Sequence, residues 1–249
     1  METISIHRPK IVVIGSCNTD MVVKANRLPV PGETILGGTF YMNPGGKGAN
    51  QAIAAARLGA EVTFISKIGY DLFGLQALEI YRSEKINTEY IFTDQKSPSG
   101  VALISVDSFG ENSIIVAPGA SRSLSIEDIN KAEEKIKEAD IILMQLEIPI
   151  DTVEYAATIA CKYGKKVILN PAPASSLSNS FLMNVHTILP NRIEAEMLSG
   201  IKVMNIESAH RAAQAIGEKG IENVVITLGK DGAYVKEKDE LSLIHISEP

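Results

Sequence analysis

The sequence predicts a three-layer α/β fold of Rossmann-like layout: a mostly parallel sheet with helices on both faces and a small β lid. Three observations predict it. Short β-branched runs alternate with Ala-, Glu- and Lys-bearing helical stretches, the pattern of strand–helix crossovers and a parallel sheet. The strand cores IVVIG, IILMQ, KVILN and VVITLG are apolar without alternation, as strands covered on both faces should be. Asp20–Tyr41 and Gly100–Val116 break the rhythm with extended, turn-punctuated patterns and no helix between, reading as extra strands that project as a lid.

In chain order, strands are expected at Ile11–Gly15, Val62–Ile68, Ile141–Gln145, Lys166–Asn170, Thr187–Leu189 and Val224–Leu228. Helices are expected at about Ala49–Leu58, Leu72–Glu84, Ile126–Lys137, Thr152–Tyr163, Arg192–Ser199 and Ser208–Lys219. Ser125-Ile-Glu-Asp128 and Asp151-Thr-Val-Glu154 each read as an N-cap with an acid three residues on.

The 249 residues suffice for a substantial core, and 45% hydrophobic content excludes a disordered, collagenous or coiled-coil chain. A net charge of −6 argues against binding to nucleic acid through phosphate contacts. No apolar run approaches the ~18 residues of a membrane span, and Met1–Lys10 lacks the apolar stretch of a signal peptide. Cys17 and Cys161 follow no metal or redox spacing, so a reducing cytoplasm is the expected location. Cys17 reads as a small buried hydrophobe.

In an open α/β sheet, ligands bind beyond the carboxyl ends of the strands. Those ends carry Asn18 and Asp20, Glu147, Asn170, Asn191 and Glu194, and Thr227 through Gly232. Carboxylates and amides on one rim suit the hydroxyls of a polyhydroxylated small molecule, and glycines allow close approach to phosphate. Each element also has a plainer reading. Asn18 and Asp20 are turn formers, Asn191-Arg-Ile-Glu194 has the form of a helix capping box, and Thr227–Gly232 suits a turn between strands. Pro44-Gly-Gly-Lys-Gly-Ala-Asn-Gln51 is different: a Gly-rich turn opens directly into an Ala-rich helix, aiming backbone N–H groups and the positive helix end at one spot. It is neither a Walker A loop nor a dinucleotide fingerprint, and three glycines around one lysine are costly as pure structure. It reads as a ligand site.

Gly15-Ser-Cys-Asn-Thr-Asp20, Pro31-Gly-Glu-Thr34, Gly45-Gly-Lys-Gly-Ala-Asn-Gln51, Leu143-Met-Gln-Leu-Glu147, Asn170-Pro-Ala-Pro-Ala174, Pro190-Asn-x-x-Glu194 and Ile226-Thr-Leu-Gly229 together resemble the ribokinase-like family of sugar kinases, over nearly the whole chain. The resemblance implies a single domain over residues 1–249, incomplete at its C-terminus, with lid segments at about 20–44 and 98–118 that pair with a second lid in a homodimer. It implies sugar contacts by Asn18, Thr19, Asp20, Gly46, Lys47, Gly48, Ala49, Asn50 and Glu147. Asn191 and Thr227, Leu228, Gly229, Lys230, Asp231 and Gly232 would serve the nucleotide, and Glu194 would hold Mg²⁺ through water. The implied reaction is transfer of the ATP γ-phosphoryl group to the terminal hydroxyl of D-ribose, with related sugars or nucleosides as alternative acceptors.

One departure stands out. The family's catalytic Gly-Ala-Gly-Asp, whose Asp is the general base, does not occur in these residues, so no catalytic residue is assigned and the family's K⁺ site has no counterpart. A non-catalytic sugar-binding fragment is therefore the rival reading. Leu241–Pro249 does not continue the family pattern and is expected to be either an artefactual end or a short terminal strand.

Overall fold

The structure, a computed structural model, describes residues 8–237 and 240–244. The first half runs β1 (Lys10–Ile14), β2 (Asn18–Lys24), β3 (Thr39–Gly45), α1 (Lys47–Arg57), β4 (Glu61–Gly69), α2 (Leu72–Ser83), β5 (Ile91–Asp94), β6 (Gly100–Val106) and β7 (Asn112–Ala117). A 3₁₀ turn at Gly119–Ser123 leads to α3 (Ile126–Lys131), α4 (Glu133–Glu138), β8 (Ile141–Met144), α5 (Ile150–Lys162), β9 (Lys166–Leu169) and α6 (Asn179–Leu182). Then follow β10 (Thr187–Ile188), α7 (Arg192–Ser199), α8 (Ile206–Gly217), β11 (Asn223–Thr227), β12 (Ala233–Glu237) and β13 (Glu240–Ile244).

Nine strands form the main sheet in the order β13-β12-β11-β10-β9-β8-β1-β4-β5. It is parallel from β11 to β5, and β12 and β13 add an antiparallel edge. The strand cores bury both faces, as their unbroken apolar runs require. Val13 packs with Ala49, Ala52, Phe64 and Tyr81, whereas its neighbours Val12 and Ile14 pack with Ile129, Ile136, Ile142 and Val153.

The two irregular stretches make the lid, a separate four-stranded sheet in the order β3-β2-β6-β7. Asn18 and Asp20 are thus strand residues of β2 and not turn formers. Each root of the lid is tied to the main body by a side chain. The Asp71 carboxylate accepts from the Ser99 N–H and hydroxyl, both at 2.7 Å, just before β6. The Ser121 hydroxyl, after β7, lies 3.2 Å from the Cys17 N–H and 3.3 Å from the Cys17 carbonyl, just before β2. Lys67 binds the buried Asp128 at 2.8 Å and the Ser123 carbonyl at 3.2 Å.

Two local expectations are corrected. The helix expected over 126–137 breaks at Ala132, whose φ of −100° and ψ of 5° leave the helical range, giving α3 and α4. Ser125 caps α3 as expected, but Asp151 is no N-cap: α5 begins at Ile150, two residues earlier than expected, and Asp151 lies in its first turn. The plainer reading of Thr227–Gly232 holds in form: Gly229–Asp231 makes a short 3₁₀ turn closing the β11–β12 hairpin. Of the tail, residues 240–244 pair with β12, and residues 245–249 lie outside the described residues.

Helix α1 sits closer to β1 than any side chain would allow. A Cβ at Gly48 would stand 2.7 Å from the Gly15 carbonyl carbon and from the Ser16 N and O, all backbone atoms. Gly48→Ala should therefore push α1 off the sheet and lower stability by about 1–3 kcal/mol, the usual cost of overpacking. Chemical denaturation of the two proteins side by side measures it, and an unchanged midpoint would refute the tight approach.

Candidate functional site

Beyond the carboxyl ends of β1, β8 and β9 lies a cavity of about 460 Å³. Its wall includes Ser16, Asn18, Lys47, Glu147, Ala172 and Glu194, so segments far apart in sequence converge there.

The best-defined interaction in it is the seat of Glu147. The Glu147 Oε2 accepts from the Lys47 N–H at 2.9 Å and from the Ser16 hydroxyl, and its Oε1 lies 3.5 Å from the Lys47 Nζ. The next helix N–H, of Gly48, reaches the Ser16 hydroxyl at 3.5 Å, and that of Ala49 reaches the Ser16 carbonyl at 3.0 Å. The first turn of α1 is thus satisfied by protein groups, and the positive helix end faces a carboxylate of the chain itself. The Gly-rich turn serves this arrangement: Gly46, at the N-cap with φ 91°, lets the chain turn from β3 straight into α1.

Asp20 lies nearby, its carboxylate packed over Gly45. Burial raises its pKa above the ordinary aspartate value, the Glu147 charge acts in the same direction, and Lys47 offsets part of the rise. Asn18 is buried, and among the described residues its Oδ1, packed against Gly100 of β6, has no hydrogen-bond partner. Gln145, fully buried behind the site, donates from Nε2 to Gln51 at 2.6 Å, while its Oε1 has no partner among the described residues.

At the far end of the cavity, Asn191 and Glu194 form a reciprocal capping box on α7. Asn191 N–H and Nδ2 donate to the Glu194 carboxylate at 2.8 and 2.9 Å, and the Glu194 N–H returns a bond at 2.9 Å. The capping reading therefore holds, and Glu194 also lines the cavity. Asn191 bridges to Thr227, which brings the β11–β12 turn alongside.

Not every expected residue joins this cavity. Thr19 points to the opposite side of β2 from Asp20 and lines a small cleft against Phe73 and Gln76. Ala49 is fully buried in the core, and Asn50 is exposed on α1. Lys230 and Asp231 line a second cavity of about 500 Å³ with Arg192, Met204 and Ile206. Cys17 is buried, accepts from the Tyr81 hydroxyl at 3.1 Å, and burial pushes its thiol up to about 11, which leaves no nucleophile at neutral pH.

Sequence reading missed Ser16, Arg122 and Arg192. Ser16 stood inside a recognised segment. Arg192 donates to the Leu228 carbonyl at 3.1 Å and Asp231 at 2.7 Å, clamping the turn from α7. Arg122 lies in the 3₁₀ turn after the lid, where no motif marks it.

The pfkB family carbohydrate kinase profile matches residues 8–247. The chain is 45% identical over 237 residues to a ribokinase of Haemophilus influenzae, covering 95% of this chain and 78% of that one. It is 38% identical over 231 residues to a deoxyribokinase of Salmonella typhi, covering 92% and 76%. A solved structure of Arabidopsis thaliana ribokinase complexed with ribose and ATP superposes with a TM-score of 0.85 at 30% identity, covering 96% of this chain and 78% of that one.

A carboxylate whose pKa is raised by folding costs stability once it ionises. Below the ordinary aspartate range Asp20 is neutral in both states and costs nothing. As pH rises the unfolded chain ionises first, and the penalty grows until the folded pKa is passed. Asp20→Asn should therefore raise Tm at pH 7, with the difference vanishing toward the acid end of a pH series. A lower Tm for the variant at pH 7 would contradict the reading.

Proposed function

The chain belongs to the pfkB family of carbohydrate kinases, and we propose that it transfers the γ-phosphoryl group of ATP to the terminal 5-hydroxyl of D-ribose, giving ribose 5-phosphate. The observation that carries this reading is the pair of carboxylates, Asp20 and Glu147, arranged around Lys47 where the strand ends open into one cavity.

Sugar hydroxyls need acceptors and donors held in fixed geometry. Glu147 is fixed by the α1 N-terminus and Asp20 by β2, and Asn18 lines the cavity beside them. Lys47 supplies a donor, Gly46 and Gly48 set the backbone around it, and Asn50 follows on the first turn of α1. Thr19 and Ala49 act through packing beneath these groups. The nucleotide is assigned to Asn191 and the turn of Thr227, Leu228, Gly229, Lys230, Asp231 and Gly232, which Arg192 holds in shape.

Phosphoryl transfer asks the protein chiefly for positioning and charge neutralisation. No group of three or more side chains able to hold a metal exists among the described residues. Mg²⁺ keeps several waters and is held through one or two carboxylates plus substrate phosphates, so Glu194 at the cavity wall fits a water-mediated role. Bound there, Mg²⁺ would neutralise phosphate charge. No described helix is long and apolar enough to cross a membrane, and dependence on ATP fits a cytoplasmic setting.

A second reading rests on one observation: Gly-Ala-Gly-Asp, which the family resemblance makes the source of the general base, does not occur in these 249 residues. The chain by itself would then bind the sugar without turning it over.

The lid supports a further assignment. Met42, Leu103 and Ile115 are exposed on one face, Tyr41 and Ile114 on the other. A sheet apolar on both faces fits a homodimer in which one lid packs on another. Sedimentation velocity should show a dimer, and a lysine at Ile114 or Ile115, one on each face, should dissociate it in one of the two variants. A wild-type monomer at micromolar concentration would refute the pairing.

Titration calorimetry tests the sugar site without requiring turnover. Ribose should bind, and Asp20→Ala should weaken it by about 1.5–3 kcal/mol, roughly 10- to 150-fold in Kd. A panel with deoxyribose, fructose and a nucleoside identifies the acceptor. An unchanged ribose affinity in the variant would sink the assignment of Asp20, and ATP turnover with ribose by these 249 residues would dismiss the binding-only reading.

A further inference from the structure

The cavity wall carries two carboxylates, Glu147 and Glu194, and two cations, Lys47 and Arg122. Lys47 is committed to Glu147. Arg122 makes no ion pair or hydrogen bond among the described residues and keeps its guanidinium exposed. With Asp20 beside Glu147, carboxylates outnumber cations around the cavity three to two, and three to one without Arg122. In so acidic a cavity, a cation with no carboxylate partner is the group that favours a phosphate ester most.

The backbone under Arg122 is held on both sides while its side chain is free. Ser121 is bonded to Cys17, and the Ser123 hydroxyl donates to Asp94 at 2.5 Å, with the Ala120 carbonyl 2.9 Å away. The Ala120 N–H donates to the Pro98 carbonyl at 2.8 Å, and the Ser123 carbonyl accepts from Lys67. A guanidinium on so fixed a base presents its planar fork to a phosphate, a geometry that a lysine ammonium matches only as a point charge.

We propose that Arg122 binds the phosphate of the phosphorylated sugar, setting the affinity of the cavity for the sugar phosphate over the free sugar. This rests on the sugar-kinase reading of the same cavity. Arg122 thereby adds a phosphate-recognising group from the root of the lid to the hydroxyl-recognising groups of β2, α1 and Glu147.

Titration of the wild type, Arg122→Ala and Arg122→Lys with ribose, ribose 5-phosphate and inorganic phosphate tests this. Ribose 5-phosphate affinity should fall at least about ten-fold in Arg122→Ala and recover in part in Arg122→Lys, with a much smaller change for ribose. Ribose 5-phosphate should also displace inorganic phosphate from the wild type. An unchanged ribose 5-phosphate affinity in Arg122→Ala overturns the proposal, as does an equal loss for ribose, which would mark a structural role. Phosphate binding that depends on Arg122 but resists displacement puts the anion outside the sugar cavity and also overturns it. A wild type that binds neither ribose nor ribose 5-phosphate overturns the sugar reading itself, an outcome distinct from the others.

Discussion

The carboxylate of Glu147 on the amino end of α1 is the contact on which the rest of the site depends. A helix of eleven residues begins there with its first N–H groups aimed at one point, and Glu147 and Ser16 take them up. The arrangement joins three strand ends: Ser16 follows β1, Lys47 follows β3 of the lid, and Glu147 follows β8. The carboxylate satisfies donors that would otherwise be orphaned in a half-buried place. It also explains why the glycines crowd around Lys47. Gly46 makes the turn, and Gly48 lets the helix lie directly on the backbone of Gly15 and Ser16.

Charge is distributed unevenly over this frame. Asp20 is held above its ordinary pKa by burial and by Glu147, so the folded chain tolerates an electrostatic cost at the place where a polyhydroxylated ligand would be held. The two orphan acceptors, Asn18 Oδ1 and Gln145 Oε1, belong to the same neighbourhood. Buried acceptors without partners are rare in proteins, and these two are packed against glycines, Asn18 Oδ1 against Gly100 and Gln145 Oε1 against Gly15. By contrast, Asn191 and Glu194 satisfy each other fully.

The lid hangs from this body through short polar links. Asp71 grips Ser99, Ser121 grips Cys17, and Lys67 with Asp128 grips the turn that carries Ser123. None is a large apolar contact, so the lid is anchored at its roots, with Thr19 and Pro44 near α2, while Tyr41, Leu103, Ile114 and Ile115 farther out stay exposed. Arg122 sits at one of these roots, between two bonded serines.

Sequence by itself determined the layered fold, because unbroken apolar runs such as Ile141–Met144 have only one way to hide two faces, and it marked Gly45–Gln51, Glu147 and Asn191–Glu194 as places of chemistry. Strand alternation also made the lid legible as extra strands. Only the tertiary structure decided that Asn18 and Asp20 lie in a strand, that Thr19 turns away from them, and that the helix end of α1 is occupied by Glu147 from a hundred residues downstream. Arg122 and Ser16 were invisible for the same reason. Their roles come from distances across the fold, and a sequence records neighbours along the chain while electrostatics and hydrogen bonding act between neighbours in space.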